Sequence, residues 1–259
     1  MINFVKWLAS RIIKVLGNSS KAICYLFYCV FPKKRFLIPH CSKPIFNTGS
    51  AHNIPKIIWQ TNYTDRVTIA VYLNYLFNRL MSPTYEYRFM DTSERADFVK
   101  KYCPAKVFES YSKLQIGAAQ ADLWRVLVLR QFGGVYLDID AHVVWPLGFI
   151  IKQEYKELYL RQKDNSLTNY FIASIKNNPH LDLVIGSILD NIDKSSSNDV
   201  GELTGPRVLD RALNALNLPA AYYKYTCYQG SFTNEFFQYV DLPQGKWTSA
   251  QKTIDVIKR

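Results

Sequence analysis

LQIGAAQADLWRVLVLRQFGGVYLDIDAHVVWP, residues Leu114 to Pro146, changes its period halfway along, and that change decides the fold. In the first half Ile116, Leu123, Leu127 and Phe132 recur at helical intervals, while Ala118, Ala119 and Ala121 leave room for close approach, which predicts a buried helix. Gly133-Gly134 stops it. From Val135 to Val144 the period becomes 2, so Tyr136, Asp138, Asp140 and His142 are expected on one face and Val135, Leu137, Ile139, Ala141 and Val143 on the other. Two carboxylates then sit side by side at the end of an apolar strand.

Carboxylates so placed repel each other and lose hydration, and a divalent cation is the simplest compensation. Mn²⁺ or Mg²⁺ takes oxygen ligands, commonly one or two protein carboxylates with water and substrate phosphates, so Asp138 and Asp140 are the candidate metal ligands and a nucleotide diphosphate the candidate substrate. Asp122 and Arg125 share a helix face three residues apart, pairing an acceptor for sugar hydroxyls with a guanidinium for phosphate. His142 follows the aspartates and is a further candidate to face the metal, although a lone strand histidine is more often structural. Asp-x-Asp alone is common in solvated turns, so its context matters.

That context is an ordered series: Ala119, Asp122 and Arg125, then Gly133-Gly134, Tyr136, Asp138 and Asp140, then Pro146, preceded by Ile54-Pro55-Lys56-Ile57-Ile58-Trp59-Gln60. Over roughly Ile54 to Leu216 it resembles the DXD-containing sugar transferase family, which includes a fungal initiating mannosyltransferase, clostridial glucosylating toxins and bacterial capsule and lipopolysaccharide transferases. The resemblance implies a GT-A-like, Rossmann-type α/β domain and a retaining hexosyl transfer by same-face attack, from a UDP- or GDP-linked sugar to a glycan or lipid-linked glycan acceptor. It implies catalytic roles for Asp122, Arg125, Asp138 and Asp140, base stacking by Trp59 beside Gln60, and donor contact by Tyr136. It also implies donor or acceptor contacts at Asn169 and at Thr204-Gly205, which equally reads as a helix cap. The family's closing His-x-Trp or Ser-x-Trp element is replaced here by Gly245-Lys246-Trp247-Thr248-Ser249, leaving Trp247 as a candidate lid and the remaining metal ligand unassigned.

The flanking sequence sets the organisation. A chain of 259 residues, 48% hydrophobic, suffices for one large α/β domain. Strand, helix, strand, helix in order, over Lys56 to Gln60, Asp65 to Leu80, Tyr85 to Met90 and Asp91 to Tyr102, predicts a mainly parallel three-layer sheet with ligands at its carboxyl edge. Ile69, Leu73, Leu76, Phe77 and Leu80 are the expected inner face of the first helix. Leu158 to Arg161 and Phe171 to Ser174 read as further strands, Leu181 to Ile192 as a helix and Asp193 to Asp199 as a mobile loop. Thr204 is the expected N-cap of a helix reaching Leu216.

No acidic residue precedes Asp65, so the leader carries nearly all of the formal +11 and the remainder is close to neutral, which argues against a nucleic-acid surface. Phe4, Leu8, Ile12, Val15 and Leu16 line one helical face among Lys6, Arg11 and Lys14, and a second apolar run covers Ala22 to Phe31 before Lys33-Lys34-Arg35. The second run is too short to span a bilayer, so residues 1–38 are expected to be a peripheral helical extension on an anionic membrane, at its cytoplasmic face. Residues 39–53 would connect it to a catalytic domain at 54–259. A signal peptide fits less well, since no small-x-small cleavage pattern follows the apolar run. Five cysteines with no C-x-x-C pair indicate neither a disulfide framework nor a zinc site. Two rivals are a metal-dependent phosphoester hydrolase, for which the carboxylates and histidines of a second metal are missing, and a non-catalytic membrane-associated binding protein.

Overall fold

The computed structural model describes residues 2–47 and 52–258, so residues 48–51 of the expected connector lie outside the described residues. The chain opens with α1 (Ile2–Val30), a single 29-residue helix rather than two separate segments. Strands β1 (Phe36–Leu37), β2 (Cys41–Ser42) and β3 (Ile57–Thr61) follow. Next come β4 (Arg66–Val67), α2 (Ile69–Met81), β5 (Glu86–Met90), α3 (Thr92–Tyr102) and α4 (Ala105–Lys113). The deciding stretch forms α5 (Gly117–Phe132), β6 (Gly134–Leu137) and β7 (Ala141–Val143). Beyond it lie α6 (Leu147–Ile150), β8 (Glu157–Arg161), β9 (Leu167–Ser174), α7 (Pro179–Lys194), α8 (Val200–Leu203) and α9 (Pro206–Leu213). The chain closes with β10 (Ala220–Tyr222), β11 (Cys227–Gln229), α10 (Glu235–Tyr239) and α11 (Trp247–Ala250).

Among the described residues the main sheet has the order β10-β8-β9-β6-β3-β5-β2. The pairs β6–β3, β3–β5 and β10–β8 are parallel, while β2–β5, β6–β9 and β8–β9 are antiparallel. The sheet is therefore mixed, which corrects the expectation of a mainly parallel one. The cause is local: β8 and β9 are joined by residues 162–166 alone, too few for a crossover helix, so they fold back as a hairpin. One face is covered by α3, α5, α7 and α9 around Trp124, Leu127 and Ile188; the other packs Ile58, Tyr87, Val135, Leu137 and Phe171 toward α2 and α6.

The Gly-Gly junction is built for one geometry. Gly133 and Gly134 have φ of +67° and +111°, and a Cβ on Gly134 would meet the Ile57 carbonyl oxygen at 2.7 Å. Only glycine lets β6 start flush against β3. On α3 the start falls where expected, with Asp91 accepting from the Ser93 and Glu94 amides and Glu94 reaching back to the Asp91 amide. Helix α2 departs from expectation. Leu76 and Leu80 are exposed, and the buried side includes Asn74 and Asn78. The N-cap of α9 is Gly205 and not Thr204, which instead closes α8; a Cβ on Gly205 would lie 2.7 Å from the Gly201 Cα.

Candidate active site

The carboxyl ends of β3, β5 and β6 open into a cavity of ≈ 720 Å³ whose lining includes Thr61, Thr92, Asp122, Arg125, Asp138 and Asp140. That size is within the range that holds a small-molecule substrate. Asp138 and Asp140 do not continue a strand. The backbone turns there, with the Ala141 amide donating to the Asp138 carbonyl at 3.0 Å, and this breaks the expected two-residue alternation. As a result His142 lies on the far side of the turn, buried against Phe77 and Phe232, with Nδ1 unpartnered among the described residues and its pKa pushed down to about 3 by burial. It does not face the aspartates as a metal ligand would.

The turn is braced from several elements. Gln60 Nε2 on β3 donates to the Asp138 carbonyl at 3.0 Å, and the Asp138 amide donates to the Tyr170 carbonyl at 2.9 Å. Asn74 Nδ2 on α2 donates to the carbonyls of Ile139 (2.8 Å) and Ala141 (2.9 Å), and Asn78 both donates to Ala141 and accepts from the Val143 amide. With the backbone pinned, both carboxylates project into the cavity. There Gln229 Nε2 donates to Asp138 Oδ2 (3.0 Å) and to Asp140 Oδ1 (3.1 Å), so one neutral amide bridges two acids. Loss of hydration and the neighbouring Asp138 push the Asp140 carboxyl up to about 7.

Beside this pair, α5 presents Asp122 and Arg125, each almost fully buried. Arg125 makes ion pairs with Asp122 (2.8 Å) and Asp138 (3.1 Å), donates to the Asn169 carbonyl at 2.9 Å and lies 4.5 Å from the Tyr136 ring centroid. Burial alone would lower its pKa, but Asp138, Tyr136, Asp122 and Asp140 hold it above the ordinary arginine value. Asp122 accepts from Asn169 Nδ2 (2.9 Å) and Thr204 Oγ1 (3.1 Å), and burial raises its carboxyl to about 6 against the pull of Arg125. Tyr136 donates its hydroxyl to Asp138 Oδ1 at 2.6 Å. These contacts form one continuous network, in which every oxygen of Asp122 has a partner.

The residues expected from sequence divide accordingly. Asp122, Arg125, Tyr136, Asp138, Asp140, Asn169 and Trp247 all line the cavity. Thr204 touches it only through Asp122, and Gly205 serves the close approach of α9 to α8. Trp59 and Gln60 are buried beneath it: Trp59 Nε1 donates to the Gly133 carbonyl at 2.9 Å and its ring stacks on Phe132, while Gln60 spans from Tyr87 to Asp138. Neither presents a face to the cavity, so base stacking by Trp59 is not what this arrangement provides. Tyr63 and Tyr239, stacked at 6.2 Å, line it instead. Arg95 on α3 adds a second cation to the lining, bonded to the hydroxyls of Thr61 and Thr92. Asn74, Asn78, Arg95 and Gln229 escaped sequence reasoning. For the two asparagines the signal was present as two polar residues four apart on one side of a helix.

The metal expected here can be tested on donor chemistry. Among the described residues no group of three or more His, Cys, Asp and Glu could hold a metal ion. Asp138 and Asp140 bring two carboxylates side by side into the cavity, and burial together with the Asp138 charge disfavours ionised Asp140, a penalty that a bound cation would relieve. That set fits a hard cation completed by water and phosphate.

Residues 70–157 match a family model described as a glycosyltransferase sugar-binding region containing a DXD motif. Over 113 residues the chain is 29% identical to the initiation-specific alpha-1,6-mannosyltransferase of Schizosaccharomyces pombe, covering 42% of this chain and 28% of that one. Over 160 residues it is 26% identical to an uncharacterized glycosyltransferase of Acanthamoeba polyphaga mimivirus, covering 60% and 62% respectively. The chain thus spans less than two thirds of the length of each. A solved structure of PaToxG glycosyltransferase aligns over 83% of this chain and 80% of its own, with a TM-score of 0.53 at 19% identity, which shows a shared fold. The resemblance seen in the motif series is borne out, and the fold is an α/β glycosyltransferase-like one.

Proposed function

We propose that this protein transfers a hexosyl group from a nucleotide-diphosphate sugar, UDP- or GDP-linked, to a glycan acceptor of a surface polysaccharide, with retention of anomeric configuration. The observation that carries it is the pairing, in one cavity, of Asp138 and Asp140 with the buried Asp122–Arg125 couple. Asp138 and Asp140 would hold Mn²⁺ or Mg²⁺. Bound there, the cation supplies positive charge to the diphosphate leaving group.

The chain's own residues supply the rest. Arg125, fixed by Asp122, Asn169 and the Tyr136 ring, is a pre-aimed cation beside the carboxylates and stabilises negative charge developing on the leaving phosphate. Arg95 offers a second such contact at the β3–β5 edge. Asp122 already spends its lone pairs on Asn169, Thr204 and Arg125, so its first task is to fix the guanidinium and the Asn169 amide. Sugar hydroxyls then compete for Asp122 oxygens with the neutral donors of Asn169 and Thr204 and with the Arg125 guanidinium. Trp247 borders the same space and is the candidate lid. No catalytic base is assigned, since same-face attack needs none from the protein.

A hydrolase would need further carboxylates or histidines, and His142 is turned away from the pair. The direct test is a panel of UDP- and GDP-sugars scored for Mn²⁺-dependent rise in melting temperature, followed by slow hydrolysis of the stabilising donor. One donor should raise it by several degrees with Mn²⁺ and not with EDTA, and Asp138→Asn should fold, lose that rise and lose turnover. Phosphate release from simple esters, or full turnover by Asp138→Asn, would overturn the proposal.

A further inference from the structure

Helix α1 is held to the body along one side. Ser10, Ile13 and Cys24 are buried, with Ile13 packed among Val144 and Phe232 and Cys24 beside Ala70 and Phe237. At Gly17 the helix approaches so closely that a Cβ would lie 2.8 Å from the Ser231 Cβ. Lys21 Nζ donates to the Gly230 carbonyl at 2.7 Å, and Tyr25 stacks on Phe236 while accepting from Asn234.

The opposite side is apolar and uncovered. Leu8, Ile12, Val15, Ile23, Leu26 and Val30 fall on one stripe at helical spacing, each between 44% and 70% exposed. A helix that has already buried one face in a core should present polar residues on the other. On α2, Leu80 is 71% exposed and shares its face with Phe77, which packs in the Ile13 cluster. An uncovered aliphatic band of this length marks a docking surface.

We infer that the stripe of α1 lies in the interfacial plane of an anionic lipid bilayer and thereby holds the cavity beside the membrane surface. Charge selects this occupant. Arg11 flanks the stripe while Lys14 turns back over the Tyr228 ring. Lys33 and Lys34 follow the helix, and no acidic residue occurs before Asp65, so the aliphatic band lies in a segment whose only charges are basic. Orientation follows from packing. A helix of 29 residues is about 43 Å long. It cannot stand upright in a bilayer without tearing Ile13, Gly17 and Cys24 from the body, and no helix among the described residues is long and apolar enough to cross.

The consequence reaches the active site through shared residues. The segment that α1 grips, residues 230–237, continues at both ends into the cavity wall, where Gln229, Glu235, Gln238 and Tyr239 stand. The Gly230 amide itself donates to the Asp140 carbonyl at 3.1 Å. The acceptor class this geometry suits is a glycan carried on a membrane lipid; that part rests on the transferase proposal, whereas the bilayer docking does not.

The test uses the full chain and phosphatidylcholine vesicles with and without phosphatidylglycerol, and needs no donor or metal. Wild type should co-sediment with the anionic vesicles about tenfold more strongly than with neutral ones, with a blue shift of fluorescence that Trp7→Phe diminishes. A triple variant, Leu8→Glu, Val15→Glu and Leu26→Glu, alters exposed positions only. It should keep the wild-type melting temperature and donor hydrolysis while losing vesicle binding about tenfold. The inference is overturned if wild type ignores anionic vesicles, if the triple variant binds them equally well, or if wild type is a dimer that the triple variant converts to monomer. Vesicle binding without any donor hydrolysis would leave the docking intact and remove only the lipid-linked acceptor.

Discussion

Replacing Asp140 by Asn should stabilise the metal-free protein at alkaline pH, the opposite of what loss of a buried hydrogen-bonded residue ordinarily does. Asp140 faces Asp138 with only the neutral Gln229 amide between them, and Asn keeps an oxygen to which that amide can donate. Loss of hydration and the Asp138 charge raise the Asp140 carboxyl from an ordinary 3.8 to about 7. At 1.36 kcal/mol per pH unit that represents about 4 kcal/mol of work against the ionised form, an upper bound because the side chain keeps some solvent contact; about 2 kcal/mol is the working figure. The sign follows from proton binding. A carboxyl with a higher pKa folded than unfolded binds more protons in the folded state across that window, so metal-free wild type loses stability as pH rises from about 4 to about 7. Asp140→Asn lacks this loss. In EDTA at pH 8 it should melt roughly 4–8 °C above wild type, with the gap closing toward pH 4. Adding Mn²⁺ should reverse the order, since the cation relieves the repulsion in wild type and finds one carboxylate fewer in the variant. Differential scanning fluorimetry across pH, with and without Mn²⁺, measures both. An Asp140→Asn protein that melts at or below wild type at pH 8 in EDTA and still gains fully from Mn²⁺ would mean that the two acids do not strain each other at all.

Asn74→Ala strands the carbonyls of Ile139 and Ala141 in a buried site, so chemical unfolding should report a loss of about 2–3 kcal/mol, and Mn²⁺ affinity measured by calorimetry should fall because the turn carrying both acids loosens. Trp59→Phe keeps the ring packed on Phe132 but loses the bond to the Gly133 carbonyl; it should cost about 1–2 kcal/mol of stability and leave donor KM near wild type, whereas a large rise in KM without a stability change would restore the stacking role.

How far the sequence could be read depended on whether a residue's role was set by its neighbours in the chain. Helix α5, the glycine junction and β6 were legible because period and punctuation are local properties, and Asp122 with Arg125 followed from helical spacing. The motif series located the cavity for the same reason. Sheet direction was not legible: whether β9 runs parallel or antiparallel to β6 depends on a five-residue loop whose composition resembles many others. Helix α2 misled because apolar spacing names a face without naming what covers it. Part of that face packs against α1 and part remains open, while the buried asparagines do the work of bracing the aspartate turn.

The same turn explains why apolar alternation assigns the two aspartates to a strand that in fact ends at Leu137. Alternation predicts side-chain direction only while the backbone stays extended, and here the hydrogen bond from Ala141 to Asp138 ends the strand. A strand would have sent both carboxylates along one face of the sheet with His142 beside them. The turn instead gathers the carboxylates at the sheet's edge, sends His142 into an aromatic pocket, and exposes backbone carbonyls that Gln60, Asn74 and Asn78 must satisfy. Those braces come from residues sixty or more positions away, and Gln229 approaches from about ninety positions beyond. Such a site has its backbone fixed by neutral amides and its acids only partly balanced, with Arg125 paired to Asp122 and Asp138 while Asp140 has the neutral Gln229 amide. Folding energy is thereby stored as readiness for a cation and its diphosphate, which is the condition for strong electrostatic stabilisation without rearrangement when substrate arrives.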